Sequence, residues 1–529
     1  MNGLRGTVRS VRTLGRLLAA AAMSVLSGCL VSFDFPTFVG VTTWPDVDAG
    51  PPAPRAPLDF VIAGPIASTD TFMPYWGDDI FLRAEGTGLG DLDDDGDLDA
   101  IVSSVGIQRE VAVLLRSDRV ENGVSAPFVD VTAGAWPMTA SPCMAVAHAA
   151  VYAPPLLIIA PVVPAPACAF RQTGPFELTG LSAVEMTIED AAEIVALGDV
   201  SGDGALDVLH GGDGAPSHLL VSMRDHWEDR QEFPVDLSDL TAASLVDLDA
   251  DRILDLVALT LGGGHVLRGL GGGAFASTES TVALETRGGA ARRLAVADLD
   301  ADAQPDLALF DVEAVPATLT IFFHGADPGV LAFDGVPIPL TVDVGGSIAI
   351  VPADADQDGV TDLVLATGDR VVVLQNHGDR TFSEREFSTT DLNDVHAGSV
   401  GDVDLDGDLD LVLCWGPTAS PITRECSVVA NQTNGSDFLE LALRGGAGNA
   451  HAVGARVVVF PAGRLGDFSA RPLAERTIGA GSTTPTSTMV HFGLPPEGRF
   501  DVRVYWPDAT EPTDILGVER GSHLRVVAP

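Results

Sequence analysis

A run of alternating aspartates returns along this chain at a near-constant interval, and that return constrains the fold more than any other feature. Its fullest copy is DLDDDGDLD, Asp91 to Asp99. The others are DVSGDGALD at 199–207, DLDADRILD at 247–255, DLDADAQPD at 298–306, DADQDGVTD at 354–362 and DVDLDGDLD at 402–410. From 199 on, the starts lie 48, 51, 56 and 48 residues apart, whereas the step from 91 to 199 is 108. A doubled step implies a copy that has lost its acids. MAVAHAAVYAPPLLII (144–159) aligns without gaps on LAVADLDADAQPDLAL (294–309), placing His148, Ala150, Tyr152 and Leu156 where Asp298, Asp300, Asp302 and Asp306 stand. Seven copies then follow at intervals of about 52 residues, close to the length of one four-stranded propeller blade.

Every copy is ordered alike. An apolar segment enters the acidic loop and an apolar run leaves it, as in Leu256-Val257-Ala258-Leu259 or Leu411-Val412-Leu413. A Gly or Pro turn follows, then a strand such as Arg370 to Gln375, another turn, and a segment bearing a Phe such as Phe382. That makes about four strands per copy. Strands apolar on both faces suit sheets that cover one another. The expected fold is all-β: a seven-bladed β-propeller over 58–437, then a small β-sandwich over 438–529.

Crowded carboxylates repel. A pair at ~4 Å costs about 1 kcal/mol in water and about 4 kcal/mol at an effective dielectric near 20. A solvated turn relieves this, and so does a hard cation. Ca²⁺ takes six to eight oxygens, and short carboxylates at alternate positions of a tight loop converge on one point. Counting each loop from its first residue, positions 1, 3, 5 and 9 offer side-chain oxygens and position 7 a backbone carbonyl. Glycine at position 6 permits the sharp turn. The candidate metal ligands are therefore Asp91, Asp93, Asp95, Asp97 and Asp99; Asp199, Ser201, Asp203, Ala205 and Asp207; Asp247, Asp249, Asp251 and Asp255; Asp298, Asp300, Asp302 and Asp306; Asp354, Asp356, Asp358, Val360 and Asp362; and Asp402, Asp404, Asp406, Asp408 and Asp410. The loops at 91, 354 and 402 keep all four acids and the glycine (Gly96, Gly359, Gly407). The loop at 199 keeps Gly204 but has the weaker ligand Ser201 at position 3. The loops at 247 and 298 carry Arg252 or Ala303 at position 6, and Arg252 brings a positive charge beside the acids, so weaker binding is expected there. The copy at 148 is expected not to bind.

The offsets resemble the start of an EF-hand loop, but Asp comes at position 9, Glu is missing at 12, and strands flank the loop. The loops resemble instead those of FG-GAP/VCBS repeats, found also in the integrin α propeller, over roughly 58–437. That resemblance implies a propeller in which Ca²⁺ sits in a hairpin loop at one face of each blade and is structural.

The first residues read as an address. Arg5, Arg9, Arg12 and Arg16 precede a short apolar run, Leu17 to Leu26, and then Leu26-Ser27-Gly28-Cys29. This resembles the bacterial lipobox, which implies a signal peptide over 1–28, a lipid on Cys29, and export to a bacterial membrane whose holding face stays open. A proline-rich stretch over 29–57 reads as a tether. Cys143, Cys168, Cys414 and Cys426 remain, an even number that permits disulfides in an exported chain. Cys414 and Cys426 flank a turn and can pair across a hairpin, with Cys143–Cys168 as the matching pair; free buried thiols are the alternative.

After residue 437 the acidic loops stop. FLELAL, ARVVVF, MVHFGL, FDVRVYW and HLRVVA read as strands between glycine turns. Asn449…Gly454-Ala455-Arg456-Val457, His491-Phe492-Gly493-Leu494 and Val504-Tyr505-Trp506-Pro507 resemble segments of the ASPIC/UnbV domain, which follows FG-GAP repeats in acidic secreted proteins including the cartilage acidic protein family. Asp508-Ala509 and the stretch 479–488 depart from that pattern.

The balance of 74 acids against 30 Lys plus Arg excludes nucleic acid, whose phosphates need clustered cations. The eleven histidines form no HxxxH or HExxH pair, and GLGGGAF (269–275) lies between strands as a turn rather than a phosphate cradle. His451 and His491 in the last domain read as packed strand residues. The expected function is a monomeric, calcium-binding, lipid-anchored module, non-catalytic, with a protein or glycan partner. A polysaccharide lyase or hydrolase built on the propeller is the alternative; a redox-cofactor propeller would be a third, but the chain has no haem-binding CxxCH.

Overall fold

The computed structural model describes residues 41–43, 58–67, 82–93, 95–106, 111–119, 128–131, 148–150, 156–160, 168–174 and 177–180, and from 194 onward all but 213–214, 224–226, 231, 277–281, 285–291, 312–316, 326, 328, 342–348, 368–369, 389–394, 416–424, 434, 436, 447–448, 468–470, 480–486, 488, 497 and 508. Apart from Pro529 these residues belong to one compact unit, Val39–Ala528. The signal over 1–28, Cys29, Cys143 and Tyr152 lie outside the described residues.

Among the described residues, seven four-stranded antiparallel sheets precede Phe438. Six of them follow the chain directly. The sheet of the loop at 354, for example, runs Ala349–Ala353, Asp362–Ala366, Arg370–Asn376, Phe382–Ser388. The seventh combines Val395–Gly401, Asp410–Trp415 and Glu425–Asn431 with Phe60–Ala67 from the start of the chain. First strands stand beside first strands: Ile194–Gly198 next to Leu240–Val246, then Arg292–Ala297, Ala349–Ala353, Val395–Gly401, Leu82–Gly90 and His148–Ala150. Second strands such as Asp255–Thr260 are buried throughout, whereas the fourth strand Phe382–Ser388 alternates with solvent. Burial on both faces explains the unbroken Val/Leu runs after each acidic loop. This is the all-β, propeller-like arrangement expected.

The register shows why the acids keep their phase. The residue before position 1 pairs with position 9 in all six acidic copies: Gly90↔Asp99, Gly198↔Asp207, Val246↔Asp255, Ala297↔Asp306, Ala353↔Asp362 and Gly401↔Asp410. Each loop therefore links the first two strands of a sheet. In the acid-free copy the second strand still begins at the matching residue, Leu156, but the first strand runs on to Ala150 and pairs His148 with Ala160.

The last domain is two four-stranded sheets. One orders Val41–Thr43, Ser522–Val527, Phe438–Arg444 and Met489–Gly493; the other Ala474–Thr477, Arg456–Pro461, Phe500–Tyr505 and Thr513–Val518. Leu439, Leu441, Val457, Phe492, Val502 and Trp506 pack between them. The sandwich matches the expectation, but one edge strand is new. Val41–Thr43, inside the stretch read as tether, pairs with Leu524–Val526. Three consecutive residues rich in β-branching suit an edge strand even between proline-bearing segments. Cys414 and Cys426 face each other on adjacent strands of the seventh sheet and form a disulfide.

Candidate metal loops and the domain seated on them

All six acidic loops share one set of hydrogen bonds. The N–H of position 5 donates to the position-1 carboxylate at 3.0–3.2 Å, from Asp95 to Asp91 through Asp406 to Asp402. The N–H of position 7 donates to the position-5 carboxylate at 2.8–3.2 Å. These Asx-type turns curl the backbone so that alternate carboxylates face inward. Oxygens of Asp91, Asp93 and Asp99 lie within 4.8 Å of one another, as do those of Asp354, Asp356 and Asp362, of Asp247, Asp249 and Asp251, and of Asp298, Asp300 and Asp302. Ser201 donates its hydroxyl to Asp199 at 3.1 Å.

Position 9 has a task that the offsets did not reveal. Asp99, Asp207, Asp255, Asp306, Asp362 and Asp410 are all 0% exposed. Each accepts one N–H from the start of its loop and one from the end of the third strand, at 2.7–3.1 Å. This aspartate staples the loop to the sheet. Its place as the first residue of an apolar run was the available signal.

Burial drives these carboxyls far above their usual range, with neighbouring acids adding to the effect. Asp354 is pushed up to about 7, Asp95 and Asp306 to about 8, Asp362 to about 9 and Asp404 to about 6, the loss of hydration being the largest cause in each. Ionised together, they need positive charge nearby.

The loops at 247 and 298 keep the turn without its glycine. Arg252 and Ala303 sit at position 6 with φ of 71° and 66°, where Gly359 and Gly407 have 92° and 93°. The left-handed region costs such residues roughly 1–2 kcal/mol each. In both loops a guanidinium meets the position-3 acid. Arg268 contacts Asp249 and lies 3.9 Å from Asp251. Arg380 donates from Nε and Nη2 to Asp300 at 2.9 and 2.7 Å. In the loop at 354 the same acid, Asp356, receives the neutral amide of Gln375 at 2.9 Å. The expectation for Arg252 is corrected here. Its guanidinium leaves the acids, donates to the carbonyl of Thr510 at 2.6 Å and lies over the Tyr505 ring. Arg268 and Gln375 each stand 13 residues after position 9, so aligning the repeats beyond the loops would have exposed the substitution.

The C-terminal sandwich sits on these loops. Arg444 donates to Asp91 at 2.5 Å, and the Gly493 N–H donates to Asp354 at 2.8 Å. Arg471 donates to the carbonyl of Ala301, and His491 Nε2 lies 2.9 Å from the carbonyl of Gly407. Gly407 is obligatory for a second reason: a Cβ there would collide with the Phe438 ring. Trp506 and Pro507 line a cleft of about 260 Å³ with Asp199 and Asp247, and a cavity of about 100 Å³ lies among Asp298, Asp354, Glu475 and Arg476. His451 bonds Arg444 at 2.9 Å, so His451 and His491 serve separate contacts.

Family profiles match FG-GAP-like repeats at 247–309 and 334–413, and the ASPIC and UnbV family at 445–525. No curated protein matches the chain in sequence. Three solved structures are distantly similar. An Agrocybe aegerita lectin, described for recognition of non-reducing terminal N-acetylglucosamine, shares 14% identity at a TM-score of 0.40 over 66% of this chain and 94% of its own. PorZ, a surface component of the type-IX secretion system of Porphyromonas gingivalis, shares 12% at 0.41 over 83% and 59%. A putative 6-phosphogluconolactonase from Bacteroides uniformis shares 12% at 0.40 over 58% and 85%. Likeness at this level says nothing of activity. With an all-β, propeller-like body, the chain carries FG-GAP-like repeats followed by an ASPIC and UnbV domain.

Proposed function

We propose that this chain is an exported, lipid-anchored, non-catalytic binding module, a ring of seven blades whose loops at 91, 199, 354 and 402 take Ca²⁺ and whose partner is a protein or a glycan. The observation that carries the calcium reading is the loop at 354. Its position-1 and position-9 acids are buried, its turn has the permissive glycine, and its position-3 acid meets a neutral amide where two sister loops supply an arginine. A hard divalent ion is the charge that completes such a loop. In the loops at 247 and 298, Arg268 and Arg380 stand in for it. Two loops with an arginine bonded to position 3 and four cation loops are therefore expected, a narrower set than the acids alone suggest; Arg444 reaches the loop at 91 at position 1, and the field of Arg119 acts on Asp404 in the loop at 402.

Calcium here is structural and the partner binds elsewhere. The sandwich occupies the loop side, which leaves the opposite face of the ring and the half-exposed fourth strands as the binding surface. The acids support binding over catalysis, because backbone amides already hold the carboxylates that open and close each loop. Cys29 supplies the anchor, and the chain beyond it holds the ring away from the membrane.

The test is a screen of the purified chain against acidic and neutral glycans and surface proteins, with and without Ca²⁺. Retention of a partner without product supports the module; turnover of a polysaccharide replaces it with the lyase or hydrolase reading. A Cys29→Ser variant is expected to leave the membrane fraction. Its persistence there would remove the lipid anchor.

A further inference from the structure

The sandwich meets most first-position aspartates with donors. Arg444 reaches Asp91, the Gly493 amide reaches Asp354, and the fields of Arg456 and Arg476 act on Asp247 and Asp298. At Asp402 it does the opposite and presents a second carboxylate, Glu440. Asp402, Glu440 and His523 each offer a ligand atom within 4.8 Å of the other two. Asp402 is 0% and Glu440 1% exposed.

Strand register builds this cluster. Glu440 is the centre of a row across three strands, with His491 opposite it on one side and His523 on the other. Residues directly opposite leave the same face of a sheet. Phe438, two residues earlier and so on that face as well, touches both imidazoles, at ring-centre distances of 5.8 and 5.0 Å. His523 Nδ1 lies 2.9 Å from Glu440. His491 gives its Nε2 proton to the carbonyl of Gly407, which leaves Nδ1 as a bare lone pair, buried and without a partner. An imidazole held by a backbone carbonyl on one nitrogen is the usual state of a metal-ligating histidine. Two buried carboxylates face each other here, with the His523 imidazole beside one of them. The field of Arg119 acts on Asp404 first and, more weakly, on Asp402.

We propose that Asp402, Glu440 and His523 hold a divalent transition cation of the Zn²⁺ class at the seam between the last sheet and the sandwich. Imidazole with two carboxylates suits Zn²⁺, whereas Ca²⁺ takes oxygen alone. The side chain of His523, 26% exposed, gives the ion its route from solvent. Held there, the ion ties the sandwich to the ring. The site does not require Ca²⁺ in the loops.

The full chain, kept in millimolar Ca²⁺, is titrated with Zn²⁺ by calorimetry and with Co²⁺ by visible absorption. One saturable Zn²⁺ equivalent is expected, weakened roughly tenfold or more in His523→Ala and in Glu440→Gln. The Co²⁺ bands should change in His523→Ala, a readout that loss of packing alone would not move. A melting curve in Ca²⁺ verifies that His523→Ala is folded. Absence of saturable Zn²⁺ uptake by the wild type, or uptake unchanged in folded His523→Ala, overturns the proposal.

Discussion

In the loop at 354, Gly359 makes the turn and Gln375 meets the position-3 acid; in the loop at 298, Ala303 holds the same turn at a strained φ and Arg380 meets the acid. Hydrogen bonds from positions 5 and 7 are the same in both, and so is the position-9 staple. The backbone of such a loop is thus set by carboxylate–amide bonds; a guanidinium from the chain meets the acids at 298, and an ion from solution is the counterpart proposed at 354. A loop that acquires an arginine can afford to lose the glycine and still fold.

The largest effect is expected from the staple the two loops share. Asp306→Ala leaves two buried amides unsatisfied and should cost about 2–5 kcal/mol. Because Arg380 balances that loop, the loss should be equal with and without Ca²⁺ in urea unfolding. A loss that disappears in chelator would make Asp306 a ligand rather than a staple.

The next effect is in pH. Asp354 and Asp362 rise from 3.8 unfolded to about 7 and about 9 folded, both chiefly through burial. The folded chain without ions then binds more protons than the unfolded one. The stability from these groups is full below about pH 4 and is lost as pH rises through 7–9. The chelated protein should melt at lower temperature at pH 9 than at pH 6, and Ca²⁺ should raise melting most at the alkaline end. A calcium effect that is flat with pH would separate these acids from the ion.

Arg380→Gln sharpens the contrast. It removes the internal cation at Asp300 and should add one calcium equivalent, with a loss of about 1 kcal/mol in chelator. An unchanged count would mean that the strained turn, not the arginine, excludes the ion. The smallest change is Ala303→Gly. Relief of the left-handed strain less the added chain entropy leaves a gain of about 0.5 kcal/mol, read as a small rise in melting temperature.

The phase of the aspartates showed the repeat, the all-β class and even the acid-free copy, because each loop must fall between the first two strands of its sheet and Leu156 still begins a second strand. The six loops were legible for the same reason. What was hidden lay far off in sequence. Arg380 belongs to the hairpin after the loop at 354 yet reaches Asp300 in the preceding repeat, and Arg444 reaches Asp91 from 353 residues away. The direction of the Arg252 side chain is not legible, because adjacency in sequence does not say which way a long side chain turns; Thr510 and Tyr505 draw it outward. The strand Val41–Thr43 escaped notice because three residues among prolines carry no periodicity.

Counting bound calcium on the full chain, with its melting temperature before and after chelation, tests the central claim most directly. About four equivalents are expected, one fewer in Asp358→Ala and in Asp406→Ala and no change in Asp251→Ala, with melting lowered by several degrees once the ions are stripped. An equal count in all four proteins, or a melting curve indifferent to chelator, would contradict it.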